Sequence, residues 1–227
     1  MIIVSIKMII LLYLCMSIFE IRNIHIYNLN TSLIVKEEHI TRDNVHRELE
    51  SLSPILLKNI YKYEITIATM LARNNGYMIQ DQGKFISLLE LSETYQIYEN
   101  EKIVSDLKID VDSIFTLLDN KITTNRRSYL SLYGKPVQSI MLKNSHNLCA
   151  FTSSSTFTFH LFNPKHYSDI AGKELSQLHK WAIKVVLNKG DVLYLPSEWN
   201  YCYEGSGNLL KCSADTYFSV FYNLVRE

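Results

Sequence analysis

The chain has 227 residues, of which 47% are hydrophobic and 20% are charged, and this length favours one sizeable core over two domains. Its 23 basic residues balance its 23 acidic residues, so the formal net charge is zero. A neutral chain has no overall electrostatic attraction for a polyanion. This excludes nucleic acid as an expected partner.

An uncharged apolar run, residues 8–19, follows Lys7 near the start of the chain. Its length is typical of the core of a signal peptide, with cleavage after Ser17. An uncleaved membrane anchor and a buried N-terminal element are the alternatives. We assign residues 1–19 to a signal peptide or signal anchor, which places the rest of the chain in the secretory lumen. The membrane is then contacted only through this segment.

A glycosylation triplet follows the apolar run. Asn30 is followed by Thr31 and Ser32, which fits the acceptor pattern for N-linked glycans. Because either form of the N-terminal segment exposes these residues to the lumen, Asn30 is the expected glycosylation site.

Residues 20–128 combine helical and extended patterns. Helices are predicted over residues 42–52, with Thr41 as the N-terminal cap, over 64–74 and over 111–118. An extended run begins at Pro54, and the apolar residues 85–91 predict a strand.

The pattern changes at residue 129 to short strands separated by turn residues. Eight strands are predicted, over residues 129–133, 137–142, 148–152, 156–162, 183–187, 192–195, 199–204 and 216–224. This number and spacing are typical of a β-sandwich or barrel. We therefore predict a mainly β domain with a core over residues 129–227, to which the α+β elements of residues 20–128 belong.

Two cysteines flank one of the expected turns. Cys202 and Cys212 lie on either side of residues 204–208, which are rich in glycine. In an oxidising compartment they either form a disulfide across this turn or remain two buried thiols.

The most specific motif lies in residues 187–201. Gly190 and Asp191 supply a tight turn before a short buried strand. Pro196 ends that strand because it has no backbone N–H to donate, and Trp199 opens the next strand.

This motif, together with two others, resembles the JmjC and cupin-like family of 2-oxoglutarate oxygenases. Residues 53–59 resemble the family's early strand, and Leu161-Phe162-Asn163-Pro164 resembles its Leu-Phe-Pro-Pro turn. The resemblance covers residues 35–225 and implies a double-stranded β-helix, a jelly-roll barrel of the cupin type. The N-terminal signal and the chain length are most similar to the jumonji-domain group of the endoplasmic reticulum lumen.

The resemblance also indicates where a metal site belongs. Active members hold Fe(II) with two histidines and one carboxylate, and bind 2-oxoglutarate through a lysine. The resemblance places the first histidine and the carboxylate at Leu142 and Asn144, the second histidine at Tyr201, and the lysine at Thr156 or Phe157. Because none of these residues offers an imidazole, a carboxylate or an ammonium group, we expect no metal and no cofactor.

The expected function follows from this loss of ligands. The chain is predicted to be catalytically inactive and to bind another protein or a small ligand at the former active-site mouth. One alternative is an Fe(II)- and 2-oxoglutarate-dependent protein hydroxylase in which His146 or His160 replaces a lost ligand. Another is a structural or interaction β domain unrelated to this family.

Overall fold

The structure is a computed structural model and describes residues 7–18, 32–37, 40–81, 83–91, 95–118, 123–173 and 177–216. Residues 7–18 lie in helix α1, whose large apolar side chains are mostly exposed. No helix within these ranges is long and apolar enough to cross a membrane. The signal or anchor therefore stays a prediction, and Asn30 lies outside the described residues.

The part of the chain before residue 123 contains short helices and strands. They are β1 (Ile34–Lys36), α2 (Arg42–Leu49), β2 (Ile55–Leu57), α3 (Ile67–Arg73), β3 (Met78–Asp81), β4 (Lys84–Ser87), β5 (Gln96–Asn100), α4 (Glu101–Asp106) and α5 (Asp112–Leu118). The three predicted helices are confirmed as α2, α3 and α5. Thr41 and Thr66 cap α2 and α3 because each hydroxyl accepts a hydrogen bond from a backbone N–H in the first turn. Helix α4 has no counterpart among the predicted helices.

The remaining strands build most of one large sheet. They are β6 (Thr123–Gln138), β7 (Leu142–Lys143), β8 (Leu148–Ser153), β9 (Phe157–Phe162), β10 (Ala182–Leu187), β11 (Val192–Tyr194) and β12 (Asn200–Thr216). In the described part of the connection between β9 and β10 lie a short helix, α6 (Tyr167–Ile170), and two 3-10 turns (Pro164–His166 and His179–Trp181). With β1, β2 and β5 these strands form a ten-stranded sheet, in which β1 and β2 are parallel and the other pairs are antiparallel. The chain is mainly β, as predicted.

The large sheet is open and has two sections that share β12. In the first section, β11, β8, the second half of β12 and β6 are hydrogen-bonded in that order. In the second section the order is β7, the first half of β12, β9 and β10. The N-terminal strands extend the first section, where β2 pairs with β11 and β5 pairs with β6.

Strand β12 passes from the second section to the first at Gly205 and Gly207, where its register with β6 shifts. Both glycines have positive φ angles, 155° and 104°. A Cβ atom on Gly205 would lie 2.6 Å from the Phe157 ring, so only glycine allows this close approach to β9. The predicted turn over residues 204–208 is therefore wrong, since these residues form a bend inside one continuous strand.

Buried apolar side chains form three clusters. The largest lies between the first section and helices α2 to α5, and a small one covers the outer face of the second section around Phe162 and Cys202. Strands of both sections contribute to the remaining cluster, which therefore lies between them. We call it the interior cluster.

Candidate functional site

The interior cluster is the candidate site, because the positions expected to hold metal ligands border it. It contains seven buried aromatic side chains, Tyr133, Phe151, Phe157, Phe159, Trp199, Tyr201 and Tyr203. The centroid of the Phe151 ring lies 5.0 Å from that of Phe159 and 5.2 Å from that of Tyr201. These separations are typical of packed aromatic pairs, so the rings fill the space between the sections.

The predicted ligand positions lie together at one end of the second section. Leu142 on β7 is directly opposite Tyr201 on β12, and both side chains pack in the interior cluster. Asn144 follows β7, and its backbone N–H donates to the carbonyl of Trp199 over 2.9 Å. The register of these two strands thus makes the three positions neighbours.

Asn144 is a buried hydrogen-bonding centre. Its side-chain Nδ2 donates to the carbonyl oxygens of Leu195 and Pro196, at 3.0 and 2.9 Å, and to that of His146 at 3.1 Å. Its Oδ1 accepts from the backbone N–H of His146. The amide therefore ties the chain before β8 to the connection between β11 and β12, and it is only 2% exposed.

These three residues do not fit a metal ion. Leu142 has no donor atom, and the side-chain oxygen of Asn144 is engaged by the backbone. Burial raises the pKa of the Tyr201 hydroxyl far above its ordinary value, so the side chain is a neutral phenol rather than a phenolate ligand. Within the described ranges, no three His, Cys, Asp or Glu side chains are grouped as a metal site would require.

The two candidate cosubstrate positions lie in different environments. Phe157 is fully buried in the interior cluster. Thr156 is exposed, and its hydroxyl donates to Oδ1 of Asn188 over 3.1 Å. Neither side chain carries a positive charge that could hold a carboxylate.

The turn at Gly190 and Asp191 fixes the start of β11. Gly190 has a φ of 86°, and its carbonyl accepts from the backbone N–H of Tyr61. The buried Asp191 carboxylate accepts from Nζ of Lys58 at 3.0 Å and from the backbone N–H groups of Asn59 and Asn188. These contacts join the turn to the segment after β2.

Trp199 and Pro196 occupy the connection from β11 to β12. Pro196 lies two residues beyond Tyr194, the last residue of β11. Trp199 immediately precedes β12 and is completely buried in the interior cluster. The four motif residues thus serve packing and chain direction.

The structure also brings together polar groups that the sequence patterns did not predict. Side chains alternate along β12, so Lys211 and Ser213 share a face with Leu209, a member of the interior cluster. Nζ of Lys211 donates to Oε1 of Glu99 over 2.8 Å. Burial acts to lower the pKa of Lys211, but Cys149 and Glu99 together raise it above its ordinary value. The alternation of side chains along the strand, counted from Leu209, is the sequence signal that could have placed Lys211 and Ser213 on this face.

The two histidines considered as replacement ligands are separated. Nδ1 of His146 lies 3.0 Å from Oδ2 of the buried Asp215 at the end of β12. His160 lies opposite Cys202 on the outer face of the second section, with its Nε2 3.6 Å from Oε1 of Glu204. The two imidazoles have different partners.

Of the two alternatives left open for Cys202 and Cys212, the structure has the free thiols. Both are free, buried cysteines on one strand, β12, and their side chains belong to different clusters. Cys202 packs on the outside of the second section, whereas Cys212 packs between the first section and the helices. Because the hairpin that would have brought them together does not exist, the two-thiol alternative describes the structure.

No model of a known protein family matches the chain, and no curated protein matches it.

Proposed function

We propose that the β core is a double-stranded β-helix of the JmjC and cupin-like type. The support is the order in which the chain enters the two sections. The strands β6, β8, β11 and the second half of β12 lie in the first section, and β7, β9, β10 and the first half of β12 lie in the second. Two facing antiparallel sections that enclose one buried cluster are the arrangement expected of a jelly roll.

On this fold we propose a catalytically inactive domain that binds another protein or a small ligand. The observation that carries the proposal is the pairing of Leu142 with Tyr201 at the expected metal position, inside a space filled by aromatic rings. Burying apolar groups there avoids the desolvation cost of a polar site without its ion. Iron and 2-oxoglutarate are therefore not part of the proposed function.

The end of the second section beside Leu142 is the proposed binding region. Ile140 is 78% exposed and Met141 36% exposed, and both precede Leu142 directly. Nζ of Lys143 lies 5.8 Å from the ring centroid of Tyr167, whose side chain is 59% exposed. Apolar side chains exposed next to a former site are suited to a protein partner.

Metal and cosubstrate assays on the purified full-length chain test the absence of catalysis. After incubation with Fe(II) and 2-oxoglutarate under anaerobic conditions, we expect substoichiometric iron and no succinate production when oxygen is admitted. Stoichiometric iron with 2-oxoglutarate turnover would establish the alternative, a hydroxylase with displaced ligands. The pair of His146 and Asp215, an imidazole and a carboxylate near Asn144, is the observation that favours this alternative.

We also propose that the domain resides in the secretory pathway, in the lumen of the endoplasmic reticulum or anchored in its membrane. The apolar residues of α1 support this, because the large side chains from Met8 to Leu12 are each more than half exposed. In secretory cells, we expect a glycosidase-sensitive mass shift that Asn30→Gln removes. An unshifted, cytosolic protein would contradict this location.

A further inference from the structure

The large sheet has one edge that differs from its other edges. Among the described strands, β1 has three residues, β7 has two, and the pairing of β5 with β6 is interrupted by a register shift at Glu99, whose φ is 38°. Short or irregular edge strands prevent pairing with other chains. Strand β10 has none of these features.

Strand β10 is regular over its whole length. All six residues from Ala182 to Leu187 pair with β9 without a register shift, and the strand contains no proline. No described strand pairs with its other side. Val186 is 42% exposed, and Lys184 is the only charged residue of the strand. The outer side therefore presents backbone N–H and C=O groups in the geometry that an added strand requires.

Positive charge concentrates at the start of this edge. Nζ of Lys173 and Nζ of Lys180 lie 4.6 and 3.9 Å from the ring centroid of Trp181, which directly precedes β10. Neither of these lysines, nor Lys184, forms an ion pair with any residue in the described ranges. By contrast, Lys189 beyond the end of β10 pairs with Glu64.

We propose that β10 is a docking edge for an extended, acidic segment of a partner protein, which adds to the second section as a further strand. Backbone hydrogen bonds supply the attachment, and carboxylates of the partner neutralise Lys173, Lys180 and Lys184. A second copy of this chain fits less well. Residues 179–190 contain three lysines and no acid, so antiparallel pairing of two such edges would bring like charges together. Two strands, β12 and β9, separate this edge from Leu142 on β7, and the docking proposal does not depend on the proposed loss of catalysis.

A fluorescent ten-residue peptide of alternating Val and Glu is the probe, with the purified full-length chain as the receptor. Fluorescence anisotropy is measured at low and high salt for this peptide, for a Val/Lys peptide of the same length, and for a Val/Glu peptide with alternate N-methylated backbone amides. We expect saturable binding of the first peptide only, weakened by salt. Hydrogen exchange should show new protection in β10.

Two charge reversals complete the design. Lys184→Glu should weaken binding of the Val/Glu peptide by about tenfold or more. Lys84→Glu is the matched control, since Lys84 is an exposed strand lysine on the separate β3–β4 sheet, and it should change binding less than about twofold. Far-UV circular dichroism establishes that both variants are folded.

Several results would overturn the proposal. One is that the Val/Lys peptide or the N-methylated Val/Glu peptide binds as tightly as the unmodified Val/Glu peptide. Another is that the Lys184→Glu variant binds the Val/Glu peptide as tightly as the Lys84→Glu control does. A dimer in sedimentation that Lys184→Glu abolishes and Lys84→Glu preserves would assign the edge to a second copy instead.

Discussion

Truncation of Trp199 to alanine removes the largest side chain of the interior cluster. Trp199 is completely buried and packs where β12 begins, so surrounding strands can fill the vacated space only in part. Such truncations cost about 3–5 kcal/mol, a large fraction of the roughly 5–15 kcal/mol that stabilises a whole domain. For a chain of this length each kcal/mol lowers the melting temperature by about 2–4 °C. We therefore expect Trp199→Ala to melt roughly 6–20 °C lower than the parent chain.

Thermal denaturation followed by far-UV circular dichroism measures this shift, and urea denaturation measures the free energy of unfolding. The chain has two tryptophans, so Trp181→Ala is the matched control. Trp181 is half-buried beside Lys173 and Lys180 outside the interior cluster, and its truncation should cost about 1 kcal/mol. Equal melting temperatures for the two alanine variants would refute the packing described for Trp199.

Asn144→Ala should reduce the free energy of unfolding by about 2–4 kcal/mol in urea titrations, since two buried carbonyls lose their donor. A loss below about 0.5 kcal/mol would contradict the role of Asn144 in linking the chain before β8 to the connection between β11 and β12. Asp191→Ala should cost a similar amount, about 2–4 kcal/mol, and more than Asp191→Asn, which keeps one acceptor. Burial raises the pKa of the Cys202 thiol to about 11 and those of the Cys149 and Cys212 thiols to about 12. A thiol reagent at pH 8 should therefore react rapidly with the exposed Cys15 alone, and with four thiols after denaturation. If only two thiols react after denaturation, the disulfide between Cys202 and Cys212 is the correct alternative. Because these raised values favour the protonated, folded state, stability should fall as the pH rises from about 9, the range of an unfolded thiol, towards 11–12.

The strand content of residues 129–216 was predictable because it depends on local patterns. Alternation and turn residues identified β8, β9, β10 and β11 within a few residues. The same rules were wrong for residues 204–208, where glycines that read as a hairpin turn instead bend β12 between two sections. Local propensity does not distinguish these outcomes, because the choice depends on the close approach of Phe157, which is distant in sequence.

The candidate site was predictable only as a set of positions. The resemblance selected Leu142, Asn144 and Tyr201, and the register of β7 with β12 makes them neighbours. The partners of Asn144, by contrast, are backbone carbonyls of another connection, and no sequence pattern encodes them. The contact of Lys211 with Glu99 joins residues 112 positions apart, which is likewise beyond a local pattern.

The motif that carries the resemblance is weak evidence for chemistry, and the contacts of its residues explain why. Asp191 binds Lys58 and two backbone N–H groups, and Trp199 is buried in the interior cluster, so both make structural contacts that involve no ion. Positions 142 and 201, which would have to change for a metal to bind, already make packing contacts of their own. Placing His at both would remove two members of a close-packed cluster and bury imidazole nitrogens without partners. Metal binding at these positions would therefore require the surrounding aromatic rings to change as well.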